Sequence, residues 1–115
     1  HTCGSIGDRL GLMVETGTQG IDTLDPPPLG NTELGPAKAE LAGRVFIKGN
    51  MNAVELLQAS SEQQVIAHAA DRIHAGMAGG GYILSTACSV APRVEPWKLE
   101  LLTPLAEQIG RYDEP

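Results

Sequence analysis

The sequence predicts an α/β fold in which parallel strands alternate with helices, as in half of a (β/α)8 TIM barrel. Three short segments rich in β-branched or aromatic residues are separated by segments in which apolar residues recur at helical spacing. Glycine or proline lies at most of the boundaries between the two patterns. This alternation is typical of a parallel sheet built from right-handed crossover connections.

The first half of the chain contains two predicted helices and two predicted strands. In chain order they are a helix over residues 5–16, a strand over 21–25, a helix over 33–42 and a strand over 44–48. The first strand must end at Pro26-Pro27-Pro28, because proline has no N–H group to donate to a sheet. The second strand has the strongest strand character of the chain, with the sequence Arg44-Val-Phe-Ile-Lys48.

Two helices with N-terminal capping signals follow the second strand. Asn52 and Glu55 have the spacing of a capping box for a short helix, and Ser60-Ser61-Glu62-Gln63 repeats the pattern for a longer one. The longer helix carries an apolar stripe at i+4 spacing, made of Val65, Ala69, Ile73 and Met77. His68 and His74 on this helix are interpreted as solvated side chains.

A third strand and a last helix complete the pattern. Gly79-Gly80-Gly81 ends the long helix, and the sequence Tyr82-Ile-Leu-Ser-Thr86 predicts the strand. The last helix is predicted over residues 96–112, with a kink or a new helix start at Pro104. With one further strand expected just before His1, the order is (β)αβαβαβα, which is half of an eight-stranded barrel.

Residues 1–115 are predicted to form one segment, a half-barrel of a larger (β/α)8 domain. A free four-stranded parallel sheet would leave both edges unpaired and one face uncovered. The segment is therefore expected either to pair with the rest of the barrel or to self-associate. A half-barrel that self-associates without catalysing a reaction is one alternative.

The composition of the chain argues against nucleic-acid and membrane partners and against a disulfide-rich secreted protein. The formal net charge is −6, with 8 Lys and Arg residues against 14 Asp and Glu residues. A nucleic-acid partner is not expected, because phosphate binding requires clustered cationic side chains. No apolar run approaches the roughly 18–20 residues of a membrane span, so a membrane partner is not expected either. Two cysteines are too few for a secreted disulfide scaffold, which favours a cytoplasmic protein with reduced thiols.

The two cysteines and the first histidine form a candidate metal site. His1 and Cys3 are two residues apart, and in an extended chain their side chains point the same way. Cys88 follows the third predicted strand, and the carboxyl ends of barrel strands lie on one rim. Three such ligands suit zinc and leave a fourth position open for chemistry. A disulfide, or two buried thiols that pack as small apolar groups, are the alternatives.

Two further polar residues are expected on the same rim. Asp25 closes the first predicted strand, and Asn50 follows the second. Because catalytic residues of (β/α)8 enzymes come from the ends of several strands, both are candidate functional residues. Asn50 is a candidate for substrate binding, with a simple turn asparagine as its alternative.

Four motifs resemble the C-terminal half of the uroporphyrinogen decarboxylase superfamily. They are His1-Thr-Cys-Gly, Lys48-Gly-Asn50, Gly80-Gly-Tyr-Ile-Leu-Ser85 and the following Pro92. The resemblance implies a (β/α)8 barrel whose N-terminal half lies outside this chain. True decarboxylases of the superfamily usually carry Gly-His-Gly after the last strand, where this chain has Ala87-Cys88-Ser89. The cysteine instead resembles the methyltransferase branch, whose signature is His-x-Cys followed much later by Cys.

This resemblance implies a chemistry and a role for each residue. Members of the methyltransferase branch bind zinc and move methyl groups to or from a corrinoid cofactor, with a small-molecule methyl donor or a thiol as the other reactant. The resemblance places His1, Cys3 and Cys88 at the zinc ion and makes Asp25 the candidate catalytic acidic residue beside it. A corrinoid protein is the implied partner.

Within the superfamily, the alternative function is a tetrapyrrole decarboxylase that works without metal.

The chain opens on His1, so it is interpreted as an excised portion of a longer protein. Because one candidate ligand is then the terminal residue, zinc binding by the isolated segment is expected to be weak or absent.

Overall fold

The computed structural model describes residues 1–112, which form a three-stranded parallel sheet and six helices. The strands are β1 (Gly20–Thr23), β2 (Phe46–Met51) and β3 (Tyr82–Thr86). The helices are α1 (Leu10–Glu15), α2 (Leu34–Leu41), α3 (Ala53–Gln58), α4 (Glu62–Gly76), α5 (Pro96–Glu100) and α6 (Leu102–Ile109). Within these residues, no helix is long and apolar enough to cross a membrane. The predicted α/β class is confirmed, while the half-barrel stays a prediction.

The sheet has the strand order β1-β2-β3, and both pairs of neighbouring strands are parallel. At the outer edge of β1, Thr2 forms an isolated parallel bridge with Thr23. Residues 1–3 therefore run beside β1 as a further parallel edge. Because all of these segments point the same way, the residues that follow them meet at one rim, as predicted.

The helices bury two apolar clusters against one face of the sheet. Ile21 and Ile47 pair across β1 and β2 and are 4% and 0% exposed in the first cluster. The other members of this cluster are Ile6, Leu10, Leu24, Leu34, Ala37, Leu41 and Val45. The second cluster contains Met51, Leu56, Val65, Ala69, Ile73, Val94 and Leu105. On the opposite face of the sheet, Lys48 is half-buried and Ile83 is exposed, whereas Asn50 is buried.

Helix α1 begins at Leu10, later than predicted, because the preceding backbone is bound to a neighbouring loop. The N–H of Gly4 donates to Asp25 Oδ2 (2.8 Å), and the N–H of Gly7 donates to Asn31 Oδ1 (2.9 Å). These side-chain acceptors hold the stretch before α1 in irregular structure.

The first two strands are shifted relative to their predicted bounds. β1 ends at Thr23 rather than Asp25, because the backbone leaves the extended conformation there: the φ angles of Thr23 and Leu24 are 92° and 52°, outside the β region. β2 runs on to Met51, past its predicted end at Lys48. The third strand has the predicted bounds.

The predicted last helix is divided into two, as the proline within it suggests. α5 ends at Glu100 and α6 begins at Leu102, so the new start precedes Pro104 rather than coinciding with it. Proline cannot bond to the carbonyl four residues earlier, that of Glu100, and its ring crowds that carbonyl. Pro104 then lies in the first turn of α6, where backbone N–H groups have no intrahelical partner in any case.

The predicted cap of α3 is confirmed, whereas α4 is capped by Ser61, one residue later than the spacing of Ser60 and Gln63 predicts. The side chain of Asn52 accepts hydrogen bonds from two N–H groups in the first turn of α3, including that of Glu55. In a complete capping box the side chain of Glu55 would also accept from the N–H of Asn52. This second hydrogen bond is not formed, because the N–H of Asn52 donates to His68 Nε2 instead (3.3 Å). Ser61 caps α4 by accepting from the N–H of Gln64 (3.2 Å).

A buried lysine ties α5 to α3. Lys98 is 1% exposed, and its Nζ donates to the carbonyl oxygens of Leu56 (2.9 Å) and Leu57 (3.0 Å). The same ammonium group pairs with Glu95 Oε2 at 3.0 Å. The carbonyls near the end of α3 thereby gain partners that the helix itself does not supply.

His68 is largely buried, so the prediction that it is solvated was wrong. Its side chain is 17% exposed, and its Nε2 accepts from the N–H of Asn52, which requires a neutral ring. Burial lowers the pKa of His68 below its ordinary value, and the nearby carboxylate of Glu55 offsets this only in part. The unfolded chain therefore takes up the proton more readily. The stability that neutral His68 contributes is present above about pH 6.5 and is lost as the pH falls.

Replacing His68 is therefore expected to reduce the acid sensitivity of the fold. The free energy of unfolding of His68→Gln should fall less between about pH 7 and about pH 5 than that of the unaltered protein. Urea denaturation at the two pH values measures the difference. His74→Gln is the matched control, because His74 is exposed on the same helix. If both variants kept the pH dependence of the unaltered protein, the burial argument would be contradicted.

Candidate metal centre

The fold brings His1, Cys3 and Cys88 together at the carboxyl ends of the strands. His1 and Cys3 lie on the edge segment that the bridge of Thr2 holds beside β1. Cys88 lies in the loop after β3, and its neighbour Ala87 is buried and donates its N–H to the last residue of β2 (2.8 Å). The loop after β3 is thus held over the rim, where Cys88 reaches the edge segment.

The spacing of the three side chains suits a tetrahedral zinc site. Cys3 Sγ lies 3.3 Å from His1 Nε2 and 3.9 Å from Cys88 Sγ, and one donor atom from each residue lies within 4.8 Å of the others. Zinc–sulfur bonds of about 2.3 Å at tetrahedral angles separate two sulfur atoms by about 3.8 Å. Both cysteines are free thiols rather than a disulfide. The donor set therefore fits zinc in both chemistry and spacing.

The cluster is open on one side. Within residues 1–112, the only group of three or more His, Cys, Asp or Glu side chains at metal-binding spacing is His1, Cys3 and Cys88. Structural zinc sites are usually closed by four protein ligands, whereas three protein ligands leave a position for water or substrate. Since Cys3 is exposed and Cys88 is only partly buried, a small molecule can approach from solvent.

The far side of the His1 imidazole contacts the end of β1. His1 Nδ1 lies 2.9 Å from Thr23 Oγ1 and 3.5 Å from Asp22 Oδ2. Asp22 in turn pairs with Lys48, whose Nζ lies 3.3 Å from Asp22 Oδ1. Neither Asp22 nor Thr23 was predicted from the sequence to be part of the site. The only available signal was that Thr23 alternates with Asp25 along the predicted strand.

The surroundings of Cys3 favour its neutral thiol when no metal is bound. The hydrogen bond with Cys88 is the main cause that raises the pKa of the Cys3 thiol above its ordinary value. Loss of hydrating water and the negative charges of Cys88 and Asp25 raise this pKa further. Metal binding must displace the thiol proton, so zinc binding to this site is expected to release protons.

Asp25 lies beside the cysteine segment and is almost fully buried. The residue is 4% exposed, and its Oδ2 accepts from the N–H of Gly4 (2.8 Å), the residue after Cys3. Its Oδ1 is buried and has no hydrogen-bond partner among the described residues. A buried carboxylate oxygen without a partner is costly, and a catalytic role is one of the usual reasons for its presence. A catalytic role for Asp25 stays a prediction.

Asn50 is held within the protein rather than at the open side of the cluster. It is 0% exposed, and its Nδ2 donates to the carbonyl oxygens of Leu24 (2.9 Å) and Thr32 (3.1 Å). Its Oδ1 accepts from Arg72 (3.1 Å). These contacts make Asn50 a link between the ends of β1 and β2 and α4, and its role in substrate binding stays a prediction.

The sheet and this cluster define a class of protein, a parallel α/β segment with two thiols and an imidazole at the carboxyl ends of its strands. Residues 1–109 match the family model of uroporphyrinogen decarboxylase (URO-D). The chain therefore belongs to the uroporphyrinogen decarboxylase family, and the resemblance predicted from its motifs is confirmed at this level. A search of curated proteins found no match.

Proposed function

We propose that this protein is a zinc-dependent methyltransferase that moves a methyl group between a small-molecule donor or thiol and a corrinoid cofactor. The observation that carries the proposal is the cluster of His1, Cys3 and Cys88, whose donor atoms lie within 4.8 Å of one another. Thiolate and imidazole ligands favour zinc over the hard cations that prefer carboxylates. A decarboxylase that works without metal has no use for such a cluster.

The residues around the cluster support this chemistry. Zinc bound here would act as a Lewis acid that holds a thiol substrate as its thiolate at neutral pH. Two thiolates and one imidazole offset both positive charges of the ion, so the ligand set preserves the nucleophilicity of a substrate sulfur. Asp25, with one carboxylate oxygen unpaired, is proposed as the acidic group beside the metal. A corrinoid, free or carried by a partner protein, would approach from the open side.

A second function, decarboxylation of a tetrapyrrole without metal, fits the family match equally well. It predicts that Cys3 and Cys88 are dispensable for activity. The two functions therefore differ in a measurable way, through metal content and through the effect of removing a thiol.

Metal analysis combined with a methyl-transfer assay tests the proposal. The full-length protein, purified without chelator, is expected to carry about one zinc ion per chain, as a single three-ligand site requires. With methylcobalamin and a small thiol it should form the methyl thioether and cob(I)alamin, which is followed by the loss of the methylcobalamin absorption. Cys3→Ser should lose both zinc and activity, whereas Asp8→Asn, an exposed residue that is not part of the cluster, should keep both.

The proposal would be contradicted if the full-length protein carried no zinc while both cysteines were reduced, and if it decarboxylated a uroporphyrinogen. The second function would then replace it.

A further inference from the structure

The imidazole of His1 is held between two sets of partners. Its Nε2 faces the thiol of Cys3 at 3.3 Å, whereas its Nδ1 faces Thr23 Oγ1 at 2.9 Å and Asp22 Oδ2 at 3.5 Å. A neutral imidazole has one nitrogen that donates and one that accepts, and only the accepting nitrogen can bind a metal ion. Which nitrogen carries the proton therefore decides whether His1 can serve as a ligand at this cluster.

Asp22 favours the proton on Nδ1. An ionised carboxylate only accepts hydrogen bonds, so Asp22 is attracted to an N–H at Nδ1 and repelled by a lone pair there. Lys48 keeps Asp22 in place, since its Nζ lies 3.3 Å and 3.4 Å from the two carboxylate oxygens. With the proton on Nδ1, the lone pair of Nε2 points toward the thiols.

Thr23 fixes the position of the ring. It is 0% exposed, and its φ angle of 92° lies in the left-handed region that β-branched residues rarely adopt. Such a conformation persists only where its surroundings enforce it, and it is commonest at functional sites. Gly49 on the neighbouring strand accommodates it, because a Cβ there would lie 2.6 Å from the Thr23 carbonyl oxygen. The unusual backbone places the Thr23 hydroxyl next to the imidazole.

We propose that Asp22 and Thr23 are positioning residues, which hold His1 with its proton on Nδ1 and with Nε2 directed at the metal position. The inference rests on the proposed zinc site and adds to it the groups that prepare one ligand. Carboxylates and other acceptors commonly bind the second nitrogen of metal-binding histidines in this way. Thr23 and Asp22 have separate tasks, since a hydroxyl can accept or donate while a carboxylate only accepts.

The position of the proton can be tested without metal. Nitrogen-15 NMR of the metal-free full-length protein, with a His1→Gln variant to assign the signals, is expected to show His1 with its proton on Nδ1. In Asp22→Asn, the population with the proton on Nε2 should rise. A His1 ring that carries its proton on Nε2 in the unaltered protein would overturn the inference.

Zinc affinity provides the second test. Competition with a chromophoric chelator should show that Asp22→Asn and Thr23→Val each bind zinc about 10- to 100-fold more weakly, the usual effect of removing an outer partner of a ligand. Thr23→Ser keeps the hydroxyl and should restore most of the affinity. Asp8→Asn is the matched control, because it removes the same charge at an exposed site.

The outcomes separate the inference from the proposed function. If the unaltered protein binds zinc and the Asp22 and Thr23 variants bind it equally well, the inference is wrong and the proposed function stands. If the unaltered protein binds no zinc, the proposed function falls, and the NMR measurement still decides where His1 carries its proton. Should Thr23→Val fail to fold, the zinc affinity and the NMR signals of Asp22→Asn decide the question.

Discussion

Cys88→Ser is expected to remove zinc from the full-length protein while leaving its fold intact. A serine hydroxyl stays protonated at neutral pH and is a poor zinc ligand, so the site would keep only two protein ligands. The loss of affinity should exceed the roughly 10- to 100-fold that follows from changing an outer partner. Cys88 is partly exposed and lies outside both apolar clusters, so little packing is lost. Metal analysis and a zinc competition titration measure the effect, and thermal unfolding of the metal-free forms checks the fold.

Ser89→Ala provides the comparison for this variant. Ser89 is exposed and adjacent to Cys88, so its replacement disturbs the same loop without touching a candidate ligand. Zinc content should be unchanged in Ser89→Ala and lost in Cys88→Ser. If Cys88→Ser retained a full equivalent of zinc with unchanged affinity, the cluster would not be the metal site, and the proposed function would lose its main support.

The strands and helices were predictable wherever local pattern and burial agree. The third strand has the predicted bounds, because Tyr82-Ile-Leu-Ser-Thr86 lies between glycines and the loop of Cys88. The start of α1 was not predictable. Its apolar spacing favours a helix from Ser5, but the N–H groups of Gly4 and Gly7 are bound by side chains from a distant loop. Only the folded chain brings those acceptors near.

The ligand cluster of the candidate site was predictable from the sequence, whereas the contacts around it were not. The i, i+2 spacing of His1 and Cys3 and the position of Cys88 after a strand were sufficient to predict that the three side chains meet. The contacts of Asp22 and Thr23 with His1 were not predictable, because they depend on a left-handed φ angle at a threonine. The complete burial of Asn50 was not predictable either, because it depends on contacts with segments that are far from Asn50 in the sequence.

Gly30→Ala is expected to lower the free energy of unfolding by about 3 kcal/mol, at the upper end of the usual cost of overpacking. A Cβ at Gly30 would clash with the carbonyl oxygen of Asp25 and lie 2.6 Å from that of Gly4. Both contacts are with backbone, so a side-chain rotation cannot relieve them. Relief requires that the loop of Asp25 and the segment after Cys3 move apart, which lengthens the hydrogen bond between the Gly4 N–H and Asp25 Oδ2.

The same substitution should therefore also weaken zinc binding, although Gly30 contacts none of the three candidate ligands. Gly11→Ala is the control, because a Cβ there meets nothing within 4 Å and lies in helix α1, where alanine is favoured over glycine by up to about 1 kcal/mol. Urea denaturation and a zinc competition titration on both variants measure the two effects. If Gly30→Ala lost stability but kept its zinc affinity, then the contact between Gly4 and Asp25 would not determine the position of Cys3. The segment of Cys3 would then be positioned by the strand bridge of Thr2 rather than by the loop of Asp25.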